Sequence, residues 1–544
     1  MQEVPLSIAT IVRYGTTAYP GSEVVEYDGT ATTRTTLGEV GQRAAQLAWG
    51  LRQVLDVHVG EPVATLLWNN QAHLECYLAI PSMGAVLHTL NVRYTPGQVA
   101  FTARSTGDRV VIVESDHIDT LLAVLPQLDA LEQVVVVGDD TDVARLAATG
   151  RTIHRYDQLL AGRPGEYPWP ALPETAPALM CYTSGTTGDP KGVVYSHRST
   201  YLVSMQMCLG DYLAASCRDR ALIVVPMFHT NSWNFPYAAL MVGMSLILPG
   251  RHVQAPHLAH LIEHERPTIS AGVPTIWSDL LGYARRTGAD LSSLRDVVVG
   301  GSACPRSLME AYQTEFGVRL LHGWGMTEMS PIGTISKPAT GDDDEEAWRF
   351  RMAQGRFVCG VQARLAAPDG SIAENDGTAV GEVEVRGPWV TGSYHGQTDS
   401  SRFHDGWLRT GDVGTITADG VLRLRDRTKD VIKSGGEWIS SLELEQALQA
   451  HPAVGAAAVI GVDDARWGER PLAIVSLSGD HRPSFEELAA HLSGRVDRWQ
   501  VPERWTELEA LPRTSVGKVD KAVLRRLYAE QAMPVQTLAP RRPA

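Results

Sequence analysis

Short apolar runs separated by amphipathic stretches fill the first 425 residues of the chain. Strand-like runs fall at 63–67, 110–113, 134–137, 221–225, 246–248 and 297–299, with helical periodicity between them, as over 118–128 and 305–316. Strands alternating with amphipathic helices predict α/β layers built on mainly parallel sheets. After Gly381 the rhythm shortens. The runs 382–385, 407–408 and 421–424 are punctuated by Asp405-Gly406 and Asp419-Gly420. Asp-Gly pairs mark tight hairpins, so a small antiparallel barrel or sheet is expected there. The charged stretch 425–430 then separates this part from a compact tail. The tail reads strand, Gly-rich loop at Ser434-Gly435-Gly436, helix 441–450, strands 455–461 and 471–477, and helix 484–495, an α+β unit. The predicted organisation is a large α/β domain of layered subdomains with a small β-barrel over 1–426, a connector at 427–430, and an α+β domain over 431–544.

Composition narrows the function classes. With 44% hydrophobic and 20% charged residues, the chain has the make-up of a soluble globular protein, and its 544 residues allow several cores. Forty-eight basic against 62 acidic residues leave a net charge of −14. That balance argues against a nucleic-acid or anionic-membrane binder. The start, Met1 to Pro5, has neither a basic nor an apolar signal region. The longest apolar stretch, 238–249, is too short to span a membrane. A cytoplasmic location follows as the expectation. The six cysteines form no C-x-x-C pair and no zinc-ligand spacing, so they read as reduced, mostly buried thiols. The acidic run 341–346 reads as a solvated loop.

Candidate chemistry concentrates in the stretch 182–192, which holds four Ser/Thr hydroxyls, three glycines and Lys191. Glycines let a backbone turn its N–H groups toward an anion, and the lysine adds a point charge. The stretch fits a polyphosphate cradle or a plain flexible loop, and its spacing is not that of a Walker A loop. Lysine is scarce: six of the 48 basic residues are lysines, and five of these, Lys191, Lys429, Lys433, Lys518 and Lys521, lie in or beside the motifs discussed here. A lysine kept where arginine is preferred points to a role for a compact charge on a flexible stem.

The stretch at 182–192, Gly323-Trp324-Gly325-Met326-Thr327-Glu328, Trp407-Leu408-Arg409-Thr410-Gly411-Asp412, Asp426-Arg427-Thr428-Lys429-Asp430 and the segment 512–518 occur in this order. Together they strongly resemble the adenylate-forming superfamily of acyl-CoA synthetases, peptide-synthetase adenylation domains and luciferases. Pro226-Met227-Phe228-His229, Trp233, Tyr195-Ser196-His197-Arg198 and 434–440 look most like the medium- and long-chain fatty acyl-CoA ligases. The resemblance implies ATP, Mg²⁺ and CoA, and a small-molecule carboxylic acid that attacks the α-phosphate and expels pyrophosphate.

By the same resemblance, Thr183, Ser184, Gly185, Thr186, Thr187, Gly188 and Lys191 would hold the β- and γ-phosphates. Glu328, with Thr183 beside it, would serve Mg²⁺, Thr327 would bond the α-phosphate, Trp324 would stack on adenine, and Gly325 and Met326 would contact the nucleotide. Most relatives have tyrosine at Trp324, so a hydroxyl is lost there. Asp412 and Arg427 would reach the ribose, while Lys433 and Trp438 would contact the adenylate. Lys518 would bridge carboxylate and phosphate in the first half-reaction, and Lys429 would be the hinge of a mobile C-terminal domain. Gly435 and Gly436 would admit the pantetheine of CoA. His229, Trp233, Asn234, Gly301, Ser302 and Gly325 would line the acyl pocket, His229 by positioning the acid, which is already ionised at neutral pH. Asn231 and Asn234 are polar where an aliphatic tail offers no partner, which favours either a substrate with a polar or aromatic part or a local hydrogen bond. The alternative reading keeps the adenylation chemistry and changes the acceptor or the acid: amide formation, carrier loading, or nitrite activation and diazotisation of an aryl amine. A binding protein that had lost catalysis would be expected to lack Glu328 or Lys518. A homodimer is a further implication of the resemblance.

Overall fold

The computed structural model describes residues 1–183, 189–338, 345–367, 369–397, 401–434, 437–478, 481–513 and 519–538, with Glu437 and Trp438 described in backbone only. Among these residues three sheets carry the fold. The first runs, in spatial order, Thr152–Arg155, Gln133–Val137, Val110–Glu114, Pro62–Leu66, Val86–Thr89, Pro177–Thr183 and Lys191–Ser196. Its strands pair in parallel except the last two, which form an antiparallel hairpin. Near-continuous Val, Ile and Leu runs make strands buried on both faces, the pattern of a helix-covered parallel sheet.

The second sheet is parallel through Ser245–Leu248, Arg220–Leu222, Ile269–Gly272, Asp296–Val299 and Arg319–Gly325. Inside that last strand the pairing changes. Residues 319–322 pair in parallel with Asp296–Val299, and residues 323–325 pair antiparallel with Ile332–Ile335. The antiparallel strands after Gly381 continue from there, through Val421–Arg427 and Trp407–Ile416 to Gly381–Arg386. The antiparallel strands expected from the sequence are therefore hydrogen-bonded edge to edge with the parallel strands in one 15-stranded sheet among the described residues.

The local differences from the sequence reading have physical causes. The run 221–225 is a strand only over Arg220–Leu222, because the Asn69 side-chain amide takes the Ile223 and Val225 carbonyls at 2.7 and 3.0 Å. The helix at 118–128 is α only over Ile118–Val124, and Pro126 tightens the next turn into a 3₁₀ segment, Leu125–Gln127. Asp405-Gly406 forms a tight turn with φ of 50° and 79° before Trp407–Ile416. Asp419-Gly420 joins that strand to Val421–Arg427, which carries the polar residues 425–427 into the sheet, so the separating segment is shorter than its composition suggests.

The C-terminal sheet runs Glu437–Ile439, Ile432–Ser434, Gly468–Leu477, Arg504–Glu507 and Gln536–Thr537, with Val454–Asp464 against Gly468–Leu477. A charged joint ties it to the preceding strand. The Asp426 carboxylate accepts from Ser441 N–H at 2.5 Å, at the start of the helix Ser441–Gln449, where anions are favoured. Ser440 Oγ donates to the Arg425 carbonyl. Lys521 binds Glu445 at 2.7 Å and Ser441 Oγ at 2.6 Å, and Arg525 binds Asp430 at 2.5 Å and the Lys429 carbonyl at 3.3 Å. Burial pushes the Glu445 carboxyl above its ordinary value against the pull of Lys521. No helix among the described residues is long and apolar enough to cross a membrane.

Lys521→Ala leaves Glu445 buried without its cation, and removing one partner of such a pair costs about 3–5 kcal/mol. Urea unfolding followed by circular dichroism should show the loss, and a paired Lys521→Met, Glu445→Leu exchange should recover most of it. An unchanged midpoint in Lys521→Ala would refute a stabilising role for the pair.

Candidate active site

Thr183 ends one strand and Lys191 begins the next, directly paired across the hairpin, with Lys191 N–H 3.4 Å from Thr183 Oγ1. Ser184, Gly185, Thr186, Thr187 and Gly188 lie outside the described residues. The Lys191 ammonium stands 4.9 Å from the centre of the Tyr394 ring.

A second element faces this hairpin. Past Trp324 the chain makes a close approach that only glycine permits: a Cβ on Gly325 would sit 1.7 Å from the Pro331 carbonyl oxygen. Met326 N–H donates to that oxygen at 3.2 Å, and Thr327–Met329 form one 3₁₀ turn. The turn is pinned from outside. Tyr195 donates to the Thr327 carbonyl at 2.8 Å, Thr391 N–H to the Glu328 carbonyl at 2.8 Å, and Tyr394 to the Glu328 carboxylate at 2.6 Å. Glu328 and Thr327 are buried, at 6% and 8% exposure.

Trp324 reaches a third element. Its indole N–H donates to Asp412 Oδ2 at 2.8 Å, while Arg427 Nε lies 3.0 Å from Asp412 Oδ1. Asp412 and Arg427 are register partners in the hairpin. The Asp412 charge raises the Arg427 guanidinium further above its already high ordinary value. Tryptophan thus removes a hydroxyl but supplies an N–H that orients the carboxylate, a use of the ring that its size alone does not suggest.

His229 precedes an unusual turn. Thr230, Asn231, Ser232, Trp233 and Asn234 all have positive φ, from 46° to 65°. Left-handed geometry costs about 1–2 kcal/mol for each non-glycine residue. Local bonds offset part of it: Ser232 Oγ donates to the Val225 carbonyl at 2.8 Å, and Asn234 Nδ2 to the Ser330 carbonyl at 2.5 Å. The turn sets the Trp233 indole against Gly300, where a Cβ would stand 3.1 Å from the ring edge. Asn234 is fully buried; asparagine tolerates positive φ and its Nδ2 anchors the turn, while its Oδ1 has no hydrogen-bond partner among the described residues. Asn231 is also fully buried, and its amide has no hydrogen-bond partner among the described residues. Gly301 has φ 86°, and Gly301 and Ser302 are exposed.

The remaining sequence candidates lie on or near the C-terminal unit. Lys429 sits in the turn after Val421–Arg427, and burial lowers its ammonium. Lys433 is paired with Trp438, and its N–H donates to Glu469 at 2.8 Å, so its recorded contacts stay within that unit. Gly435, Gly436, Lys518 and the Trp438 side chain lie outside the described residues. Tyr394 lies in no motif that the sequence offers, and Tyr195 enters the sequence reading only within Tyr195-Ser196-His197-Arg198, with no role attached. Both bond to backbone or carboxylate groups more than 60 residues away.

Known proteins match most of the length of the chain. The AMP-binding enzyme profile matches residues 13–395, and the profile of the AMP-binding enzyme C-terminal domain matches residues 443–518. The chain is 42% identical over 471 residues to the 3-methylmercaptopropionyl-CoA ligase of Ruegeria pomeroyi, covering 86% of this chain and 87% of that one. It is 42% identical over 503 residues to the long-chain-fatty-acid–CoA ligase of Thermus thermophilus, covering 91% and 90%. Among solved structures, an anthranilate CoA ligase in complex with anthranoyl-AMP superposes with a TM-score of 0.87 at 25% identity, covering 98% of this chain and 100% of that one.

Gly325→Ala forces the 326–331 turn to move. Displacing a catalytic group by ~1 Å costs about 100-fold in rate. Exchange of labelled pyrophosphate into ATP should fall by at least that order while the variant stays folded. A wild-type exchange rate would show that this close approach does not position the site.

Proposed function

This chain belongs to the AMP-binding enzyme family and joins a carboxylic acid to CoA with ATP through an acyl-adenylate; on that premise we propose that the acid is an unbranched aliphatic one, and that the residues gathered around Trp324 and Lys191 carry the chemistry. The observation that bears most weight is the convergence of three separate elements. The Thr183–Lys191 hairpin, the Thr327–Glu328 turn and the Asp412–Arg427 pair are joined by Tyr394 on one side and Trp324 on the other.

In this reading the nucleotide lies across these elements. Asp412, held by Trp324 and Arg427, keeps lone pairs for the ribose hydroxyls, as an ionised carboxylate can accept up to about four hydrogen bonds. Lys191 and the hairpin loop neutralise the leaving phosphates. Glu328 is a single buried carboxylate, and no group of three or more His, Cys, Asp or Glu side chains among the described residues could cage a metal. That donor set fits Mg²⁺, which is commonly held by one or two protein carboxylates and completed by phosphate and water. When bound, Mg²⁺ would supply charge neutralisation on the phosphates. The acid needs no general base, since it is ionised at neutral pH. One carboxylate oxygen bonds to the α-phosphorus and the α–β bridging oxygen leaves with pyrophosphate. The CoA sulfur then bonds to the acyl carbon, and AMP leaves. Lys518 belongs to the first of these steps, with Lys429 as the hinge that removes it before the second.

The aliphatic assignment rests on the relatives at 42% identity, which are named for a thioether-bearing propionyl group and for long-chain fatty acids.

Pyrophosphate release should be screened across linear acids of increasing length, aryl acids and nitrite, with and without CoA. Linear acids should turn over fastest and yield thioester only with CoA. Preference for aryl acids would overturn the substrate class, and turnover of nitrite with an aryl amine and without CoA would overturn the ligase reading itself. Lys518→Ala should lower pyrophosphate exchange by about 100-fold or more, the scale of a lost electrostatic stabiliser, and spare thioester formation from supplied acyl-adenylate. Equal loss in both half-reactions would sink the division of labour.

A further inference from the structure

Tyr394 touches both halves of the phosphate site. Its hydroxyl donates to Glu328 Oε1 at 2.6 Å, and its ring lies 4.9 Å beneath the Lys191 ammonium. The backbone repeats both attachments. Thr391 N–H donates to the Glu328 carbonyl and His395 N–H to the Gly192 carbonyl, each at 2.8 Å. Residues 391–395 therefore form a strap from the strand that opens at Lys191 to the turn that carries Glu328. Gly192 admits the strap, since a Cβ there would come within 3.0 Å of His395 Cβ. The tyrosine is 5% exposed and packs against Phe403, ring centres 6.0 Å apart.

The side-chain chemistry suits a coupling role. A phenol is protonated at neutral pH, so the hydroxyl is a donor. A donor on Oε1 fixes the rotation of the carboxylate and takes one of its roughly four acceptor sites, leaving others for a cation. An aromatic face attracts an ammonium without neutralising it. A carboxylate in that place would pair with Lys191 and hold it back from phosphate.

Resting on the reading of Glu328 as the Mg²⁺ ligand and Lys191 as a phosphate ligand, we propose that Tyr394 is a positioning residue that sets both groups for one Mg²⁺-bound ATP, the hydroxyl aiming Glu328 and the ring seating Lys191. The two functions separate by substitution. Tyr394→Phe keeps ring and strap and removes only the donor. Tyr394→Leu removes both.

The test combines the Mg²⁺ dependence of pyrophosphate exchange with calorimetric binding of ATP in the presence and absence of Mg²⁺. Tyr394→Phe should raise the Mg²⁺ needed for half-maximal exchange and weaken binding of the Mg²⁺ complex by about tenfold, the scale of one charge-assisted hydrogen bond. Its binding of metal-free ATP should match wild type. Tyr394→Leu should weaken both forms of ATP. Circular dichroism and a thermal unfolding midpoint close to wild type report that the fold of each variant is intact. Glu328→Gln distinguishes the two levels of failure. Wild-type Mg²⁺ dependence in Glu328→Gln would remove the reading of the site on which the proposal rests. An altered dependence in Glu328→Gln together with a wild-type one in Tyr394→Phe would overturn the role of Tyr394 alone.

Discussion

The strand Arg319–Gly325 changes partners halfway along its length, and the geometry around Trp324 and Glu328 follows from that change. Its first half completes a parallel sheet packed by helices. Its second half opens the antiparallel array. At the junction Gly325 passes so close to the Pro331 carbonyl that no side chain fits, and the chain turns straight into Thr327 and Glu328. A rigid parallel sheet thus delivers a short turn to one fixed place, and the antiparallel strands bring Asp412 and Arg427 to meet it. Sites at the ends of sheet strands gain precision because the strands, not the loops, set position.

Polar groups in this region are arranged as donors placed on carboxylates before any ligand arrives. Trp324 and Arg427 hold Asp412, and Tyr394 holds Glu328. Donors fixed in this way set the orientation of both carboxylates. Backbone strain appears in the turn at 230–234 instead. Five successive residues in left-handed geometry persist there because side-chain bonds to Val225 and Ser330 over-determine the turn, and the result is the placement of Trp233 against Gly300.

The C-terminal unit meets the rest of the chain through charges rather than through a continuous apolar core. Asp426 caps the helix at Ser441, and Lys521 and Arg525 reach toward the acidic residues that flank Lys429. Buried hydrogen bonds and ion pairs of this kind depend on exact geometry, and breaking one partner leaves an uncompensated charge.

The alternation of apolar runs and amphipathic stretches determined the α/β layers, because strand and helix periods are properties of neighbours in sequence. Asp405-Gly406 and Asp419-Gly420 determined the hairpins, and with them the pairing that sets Asp412 opposite Arg427. The order of the motifs determined the kind of chemistry. The joining of the antiparallel strands to the parallel sheet was decided only in three dimensions, since no local pattern marks a strand that changes partners. Tertiary structure also decided that Trp324 binds Asp412, that Asn234 serves a turn, and that Tyr394 stands between Lys191 and Glu328. Each of these depends on groups tens to hundreds of residues apart, brought within hydrogen-bond or ring-contact reach by packing alone.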